Sequence, residues 1–216
     1  MDNIVTIKQQ VYHIIKKRIA NGTYEHGQRL QENDLAEDLM VSRSPVREAL
    51  KQLVFEGVLE EFPNKGVYLR NFSGKDIRDI YDLRMILETY AIDYLVNNPT
   101  SFPLEELNNV RNCILSLEGD TIDYIVEPQI NPHDAIVGAT NNYYIIDFHR
   151  RASFYTMSYH NVLFQGENYN INIQQHLNIV DYLLARDYKK TKDELVNHLI
   201  SSRDIICKAI REKSNQ

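Results

Sequence analysis

The 216-residue sequence predicts a mainly α chain in two parts: three helices plus a β-hairpin over residues 1–71, then an all-α bundle of about six helices over residues 72–216. Three observations carry that expectation. Apolar residues recur at helical spacing up to Gly57, the period drops to two around Asn64-Lys65-Gly66, and helical periodicity resumes after Ser73 with no further strand-forming run.

Ile7, Val11, Ile14, Ile15, Arg18 and Ile19 step along one helical face until Gly22. A turn-rich link from Tyr24 to Leu30 follows, then a short helix over Gln31 to Met40 with Leu35, Ala36 and Leu39 inward and its acids outward. The third helix starts within Val41-Ser42-Arg43-Ser44-Pro45-Val46-Arg47-Glu48-Ala49-Leu50. Either Ser42 or Ser44 can cap it, Pro45 suits its first turn, and Val46, Ala49, Leu50, Leu53 and Val54 make a stripe that must face a core. Arg43 and Arg47 lie one turn apart, and Lys51 extends the row. Cations at a helix start oppose the helix dipole, so local stability does not explain them. A DNA major groove does: Arg reaches guanine edges bidentately, while hydroxyls and backbone N–H groups take phosphate oxygens. A short helix, a tight turn and an arginine-headed helix form the helix-turn-helix arrangement. Two short strands, Val58 to Phe62 and Val67 to Arg70, then read as a wing with Lys65 at its tip, and Gly66 permits close backbone approach to a phosphate or the minor groove.

Charge is distributed accordingly. The formal net charge is −6; residues 1–70 hold ten Lys plus Arg against ten Asp plus Glu, and residues 71–216 hold fourteen against twenty. Nucleic-acid binding through a local basic patch is allowed, with an acidic remainder that discourages non-specific adhesion. The two cysteines, Cys113 and Cys207, sit in apolar helical patterns and are expected to be reduced core thiols. With no leader-like start and no run of membrane-spanning length, the expected location is the cytoplasm, with no membrane partner.

The series Gly27…Leu30-Gln31-Glu32…Leu35-Ala36…Val41-Ser42-Arg43-Ser44-Pro45-Val46-Arg47-Glu48-Ala49-Leu50…Leu53…Glu56-Gly57 resembles the winged-helix signature of the GntR family of bacterial transcription regulators. That resemblance implies that Arg43 and Arg47 read bases. It further implies that Ser42, Ser44 and Asn33 contribute base or phosphate contacts, and that Lys65 with Gly66 forms the wing contact. Met40 departs from the family, which often has glycine there; a left-handed turn at Met40 would carry strain of roughly 1 kcal/mol.

Beyond Ser73, a capping candidate, Ile77, Ile80, Tyr81, Leu83, Arg84, Leu87, Glu88, Ala91 and Leu95 form a broad stripe. Further helices are expected over Pro103 to Leu117, Thr121 to Ala139 interrupted by Pro128 and Pro132, Asn142 to Tyr159, Tyr169 to Asp187, and Lys189 to Arg211. The motifs Asp76-Ile77…Tyr81…Leu83-Arg84…Leu87-Glu88…Ala91, His133…Ala135, Gln175-His176…Ile179-Val180 and Val196-Asn197-His198-Leu199 resemble the FCD ligand-binding domain of the FadR subfamily; six helices suggest its VanR-like branch. The resemblance implies a homodimer whose grip on a palindromic operator responds to a small organic acid.

Of seven histidines, His133, His176 and His198 stand at FCD ligand positions on separate helices, and imidazoles from facing helices can converge on one divalent cation, zinc-like or nickel-like. The family's fourth ligand, an aspartate, is replaced by Gln129, a weak or absent ligand without charge. His149 and His160 have no partner that spacing identifies. Arg84 and Glu88 are either an intrahelical ion pair, or Arg84 turns inward to an effector carboxylate. Tyr143, Tyr144, Tyr155 and Tyr159 shape either the pocket or the dimer face.

The leading reading is an effector-responsive regulator, a repressor, on double-stranded operator DNA. Two alternatives stand beside it: a metal-sensing regulator, and a three-histidine metal-dependent enzyme. Against the enzyme, there is no His-Glu-x-x-His, no carboxylate that spacing sets beside those histidines, and no phosphate-cradling glycine loop.

Overall fold

The structure, a computed structural model, describes residues 6–116, 131–163 and 167–214. It divides into two compact units, residues 1–72 and 73–216.

In the first unit, α1 (Ile7–Ala20) begins at a reciprocal cap: the Gln9 backbone N–H donates to Thr6 Oγ1 at 3.2 Å and the Thr6 N–H to Gln9 Oε1 at 2.9 Å. Its buried face is Val11, Tyr12, Ile15, Ile19 and Ala20, whereas Ile7 and Ile14 are exposed. The stripe is thus narrower than its apolar residues suggest, and Tyr12 joins it because its hydroxyl finds a partner, donating to Glu56 at 2.8 Å beyond α3. A two-residue strand β1 (Arg29–Leu30), hidden in the turn-rich link, adds to β2 (Leu59–Phe62) and β3 (Gly66–Leu69) in an antiparallel sheet of order β1-β3-β2. Two residues are too few for periodicity to reveal; pairing with β3 defines the strand.

Helix α2 (Glu32–Asp38) and α3 (Arg43–Phe55) are joined through Met40, whose φ is +52°. Met40 takes the left-handed position after the helix, donating to Glu37 O at 3.1 Å, and its side chain stands in solvent. The strain expected of a non-glycine residue there is present. Val46, Ala49, Leu50 and Leu53 of α3 are buried with Ile15, Leu59 and Leu69, while Val54 is only half-buried.

The second unit is helical throughout its described residues. Its axis is α4 (Gly74–Asn97), opened by a capping box in which Asp76 N–H donates to Ser73 Oγ and Ser73 N–H to Asp76 Oδ2. Following a 3-10 turn (Pro99–Ser101) come α5 (Leu104–Leu115), α6 (Pro132–Gly138), α7 (Tyr143–Leu163), α8 (Glu167–Leu184) and α9 (Tyr188–Ser214). Helix α4 packs on α6, α7 and α9, and α8 packs on α5 and α9. The described part of the third bundle helix is shorter than the expected Thr121 to Ala139: it starts at Pro132, a proline at the first turn, where its missing N–H costs nothing. Pro132 opens this helix rather than interrupting it. Cys207 is buried, but Cys113 is only half-buried.

No helix among the described residues is long and apolar enough to cross a membrane.

Candidate functional site

On the first unit, Ser42 occupies the cap position of α3 without a capping side-chain hydrogen bond, and Ser42, Arg43, Ser44, Arg47 and Asn33 are all exposed. No acid offsets the arginines in the first turn of α3. Arg47 is held by Glu32 of α2, its Nε 3.0 Å from both carboxylate oxygens and its Nη2 2.9 Å from Oε2. The hydrogen bond from Arg47, helped by the fields of Arg43 and Lys51, keeps the Glu32 carboxyl below its usual range. Three cations therefore gather around one carboxylate on an exposed face. Lys65 stands exposed at the wing tip, between Asn64 at φ +62° and Gly66 at φ +101°. A Cβ on Gly66 would come within 3.0 Å of Arg29 Nε, so glycine here makes room for Arg29 as well as for the turn.

In the second unit the structure brings His133 of α6, His176 of α8 and His198 of α9 together. Their Nε2 atoms form a triangle with all three sides 3.2 Å, and all three residues are buried. What lies behind the rings fixes how they present themselves. His133 Nδ1 faces Glu88 Oε2 at 2.5 Å and His198 Nδ1 faces Gln175 Oε1 at 3.1 Å. Both partners accept, so each Nδ1 carries the proton and each neutral ring directs a bare Nε2 lone pair into the triangle. Two lone pairs aimed at one point, with a third nitrogen alongside, repel unless something positive lies between them. Burial, together with the neighbouring imidazoles, keeps His176 and His198 well below the usual histidine range, and burial outweighs Glu88 to lower His133 as well. The neutral, metal-ligating form is favoured at all three positions. Gln129 lies outside the described residues.

Glu88 is the hub that spacing does not reveal. Fully buried, it accepts from Arg84 Nε at 3.0 Å, from His133 Nδ1 and from His149 Nε2 at 3.0 Å. Burial opposes its charge, yet His133 and Arg84 prevail and hold it well below the carboxylate range. The other nitrogen of His149 lies 3.4 Å from Asp134 Oδ1; against the effect of burial, Asp134 and Glu88 raise its pKa. A carboxylate therefore does stand beside the histidine cluster, contrary to the sequence expectation, but on the Nδ1 side of His133, where it orients the ring. Arg84 makes the intrahelical pair and also lines the cavity, so the two readings of it are compatible. His160 has a partner too, Tyr81 Oη at 2.7 Å, and burial pushes its pKa down to about 3.

A cavity of about 60 Å³ opens in front of the triangle, lined by Arg84, Asn131, the three histidines, Ser153, Thr156, Met157, His160 and Asn172. None of the four singled-out tyrosines lines it: Tyr143 and Tyr144 are exposed, Tyr155 is half-buried and Tyr159 is buried elsewhere. Asn172 was missed by sequence reasoning, its one signal being that it lies a turn before His176 on α8.

An exposed arginine-headed helix with a wing, in a chain whose second unit encloses a donor-lined cavity, defines a class: DNA-binding regulators that carry an effector domain. The comparisons specify it. The profile of bacterial regulatory proteins of the gntR family matches residues 7–69, and that of the FCD domain matches residues 79–201. The chain belongs to the GntR family, in its FCD-bearing, FadR-like division. It is 38% identical over 88 residues to the HTH-type transcriptional regulator YdhC of Bacillus subtilis, covering 41% of this chain and 39% of that one. It is 31% identical over 137 residues to the gluconate operon transcriptional repressor of the same organism, covering 63% of this chain and 56% of that one. The chain thus spans about half the length, or less, of these relatives. Escherichia coli McbR/YncC has the same fold, with a TM-score of 0.73 at 21% identity over 95% of this chain and 99% of its own. These relatives are transcriptional regulators, not enzymes.

Proposed function

We propose that this chain is a cytoplasmic repressor that binds a palindromic operator as a homodimer and responds to a small carboxylate held in the cavity of its second unit. The exposed, cationic front of α3 carries this reading: Arg43 and Arg47 enter the major groove, Ser42, Ser44 and Asn33 take phosphate or base contacts, and Lys65 with Gly66 meets the flanking backbone. The relative named for repressing a gluconate operon supports repression and an acid effector. Exposed Leu83, Ile86 and Tyr90 at successive turns of α4 offer an apolar face for a second copy.

His133, His176 and His198 suit a zinc-like or nickel-like ion. Nitrogens at a metal distance of about 2.0–2.1 Å in tetrahedral geometry lie about 3.3–3.4 Å apart, close to the 3.2 Å found here. Among the described residues no other His, Cys, Asp or Glu joins the three. The three imidazoles would hold the ion, which would supply Lewis-acid attraction for an effector oxygen. Arg84 adds a guanidinium to the same cavity.

Electrophoretic mobility shift with DNA from upstream of the coding sequence tests the reading. Specific retardation that carboxylic acids relieve is expected; retardation set by metal alone would favour the metal-sensing alternative, and no specific retardation would overturn the proposal. Metal analysis after purification without chelator or affinity tag should find about one ion per chain, and background only in the His133→Ala, His176→Ala, His198→Ala triple variant. Equal content in the two would remove the metal from the account.

A further inference from the structure

One group in the cavity is left over. Asn172 is 4% exposed and lines the cavity, yet among the described residues its side-chain Nδ2 donates to nothing. A buried amide donor without an acceptor is costly, so such a group in a binding cavity indicates a missing partner. Arg84 is in a related position. Its only hydrogen bond among the described residues runs from Nε to Glu88, which leaves its terminal nitrogens for a ligand. Thr156, which donates to Ser153 O, is already engaged.

The two groups differ in what they ask for. A guanidinium fork takes a carboxylate. A neutral amide N–H takes an oxygen of any kind, but cannot offset a second buried charge. On the same face of α8, Asn172 and His176 are one turn apart, with Cβ atoms about 5–6 Å from each other, a separation that a small molecule bridges.

We propose that Asn172 is the residue that reads the effector's second oxygen. The effector is then a small carboxylic acid bearing a neutral oxygen acceptor, a hydroxyl or a carbonyl, close to its carboxylate. A plain alkanoic acid leaves Nδ2 unpaired, and a dicarboxylate places a second anion against an uncharged donor. This inference rests on the reading of the cavity as the effector site.

Isothermal titration of the zinc-loaded full chain with propionate, lactate, pyruvate and malonate tests it. The wild type should bind lactate or pyruvate about tenfold or more tightly than propionate or malonate. Asn172→Leu should bring the lactate-to-propionate ratio close to one while leaving zinc content and propionate affinity as they were. Equal binding of lactate and propionate by the wild type, tighter binding of malonate, or discrimination that survives in Asn172→Leu would overturn the role of Asn172 and leave the effector site standing. If none of the four acids binds the wild type, the effector reading fails and this inference fails with it. The wild-type ratios decide the matter even if the variant does not fold.

Discussion

Two arginine–glutamate pairs, one in each unit, have nearly the same contact distance and opposite character. Arg47 and Glu32 meet at 2.9 Å with side chains 55% and 33% exposed; Arg84 and Glu88 meet at 3.0 Å with side chains 6% and 0% exposed. In water the first pair is weak and exchangeable, because solvent screens it and competes for both partners. The proposed move of Arg47 from Glu32 to a guanine edge would therefore cost little, and until then Glu32 holds the side chain in place. The second pair has given up its hydration and cannot come apart without stranding a charge. Glu88 is thereby a fixed point, and it sets His133 and Arg84 in place together. The same chemistry makes a releasable contact on one surface and a rigid anchor in the other core.

The comparison breaks most visibly at the glutamates. Glu88→Ala strands Arg84 and His149 in the core and should lower stability by about 3–5 kcal/mol in urea denaturation, whereas Glu32→Ala should leave the midpoint unchanged. Comparable losses in both would mean that burial does not separate the pairs. On DNA the order reverses: Arg47→Ala should weaken operator binding by about 1–3 kcal/mol and blur base preference, and Lys65→Ala should weaken binding evenly across sequences. Fluorescence anisotropy on operator and scrambled duplexes reads both effects.

Acid sharpens the contrast, because burial in the second unit disfavours the charged form of His160. With a folded pKa of about 3 against 6.5 in the unfolded chain, His160 lets the unfolded state bind more protons throughout that interval. Its contribution is complete above about pH 6.5 and is lost as the pH falls, by up to about 1.4 kcal/mol per pH unit. Comparing wild type with His160→Gln between pH 6 and 4 should show a shallower loss in the variant; parallel curves would remove His160 from the account. The smallest effect belongs to the turn before α3. Met40→Gly relieves a left-handed backbone at an exposed site and should stabilise the first unit by roughly 0.5–1 kcal/mol, as read from the thermal midpoint.

The helix-turn-helix was legible because its signals are local. The stripe Val46, Ala49, Leu50 and Leu53, the position of Ser42 at the start of α3, the wing turn and the lone misfit at Met40 depend on residues within a few positions of one another, although Ser42 makes no capping side-chain hydrogen bond. Where a second element decided the outcome, reading failed. The edge of the α1 stripe was misjudged at Ile7 and Ile14, β1 was invisible without β3, and the start of α6 at Pro132 looked like an interruption.

The histidine triad was named from residue types and a family resemblance, and its second rank was not. Spacing showed Glu88 only as a partner for Arg84 and Asn172 only as a residue one turn before His176, and it gave His149 and Asp134 no signal at all. They lie on α4, α6, α7 and α8, and their meaning arises when those helices close around one cavity.

By itself the chain determined its periodicities, its caps and the identity of its charged groups, because each of these is written within a turn or two of backbone. Which carboxylate is buried, which imidazole nitrogen is bare, and which amide is left without a partner were decided only by the packing of helices distant in sequence. Desolvation and hydrogen-bond satisfaction are properties of a surrounding volume, and that volume does not exist until the helices have met.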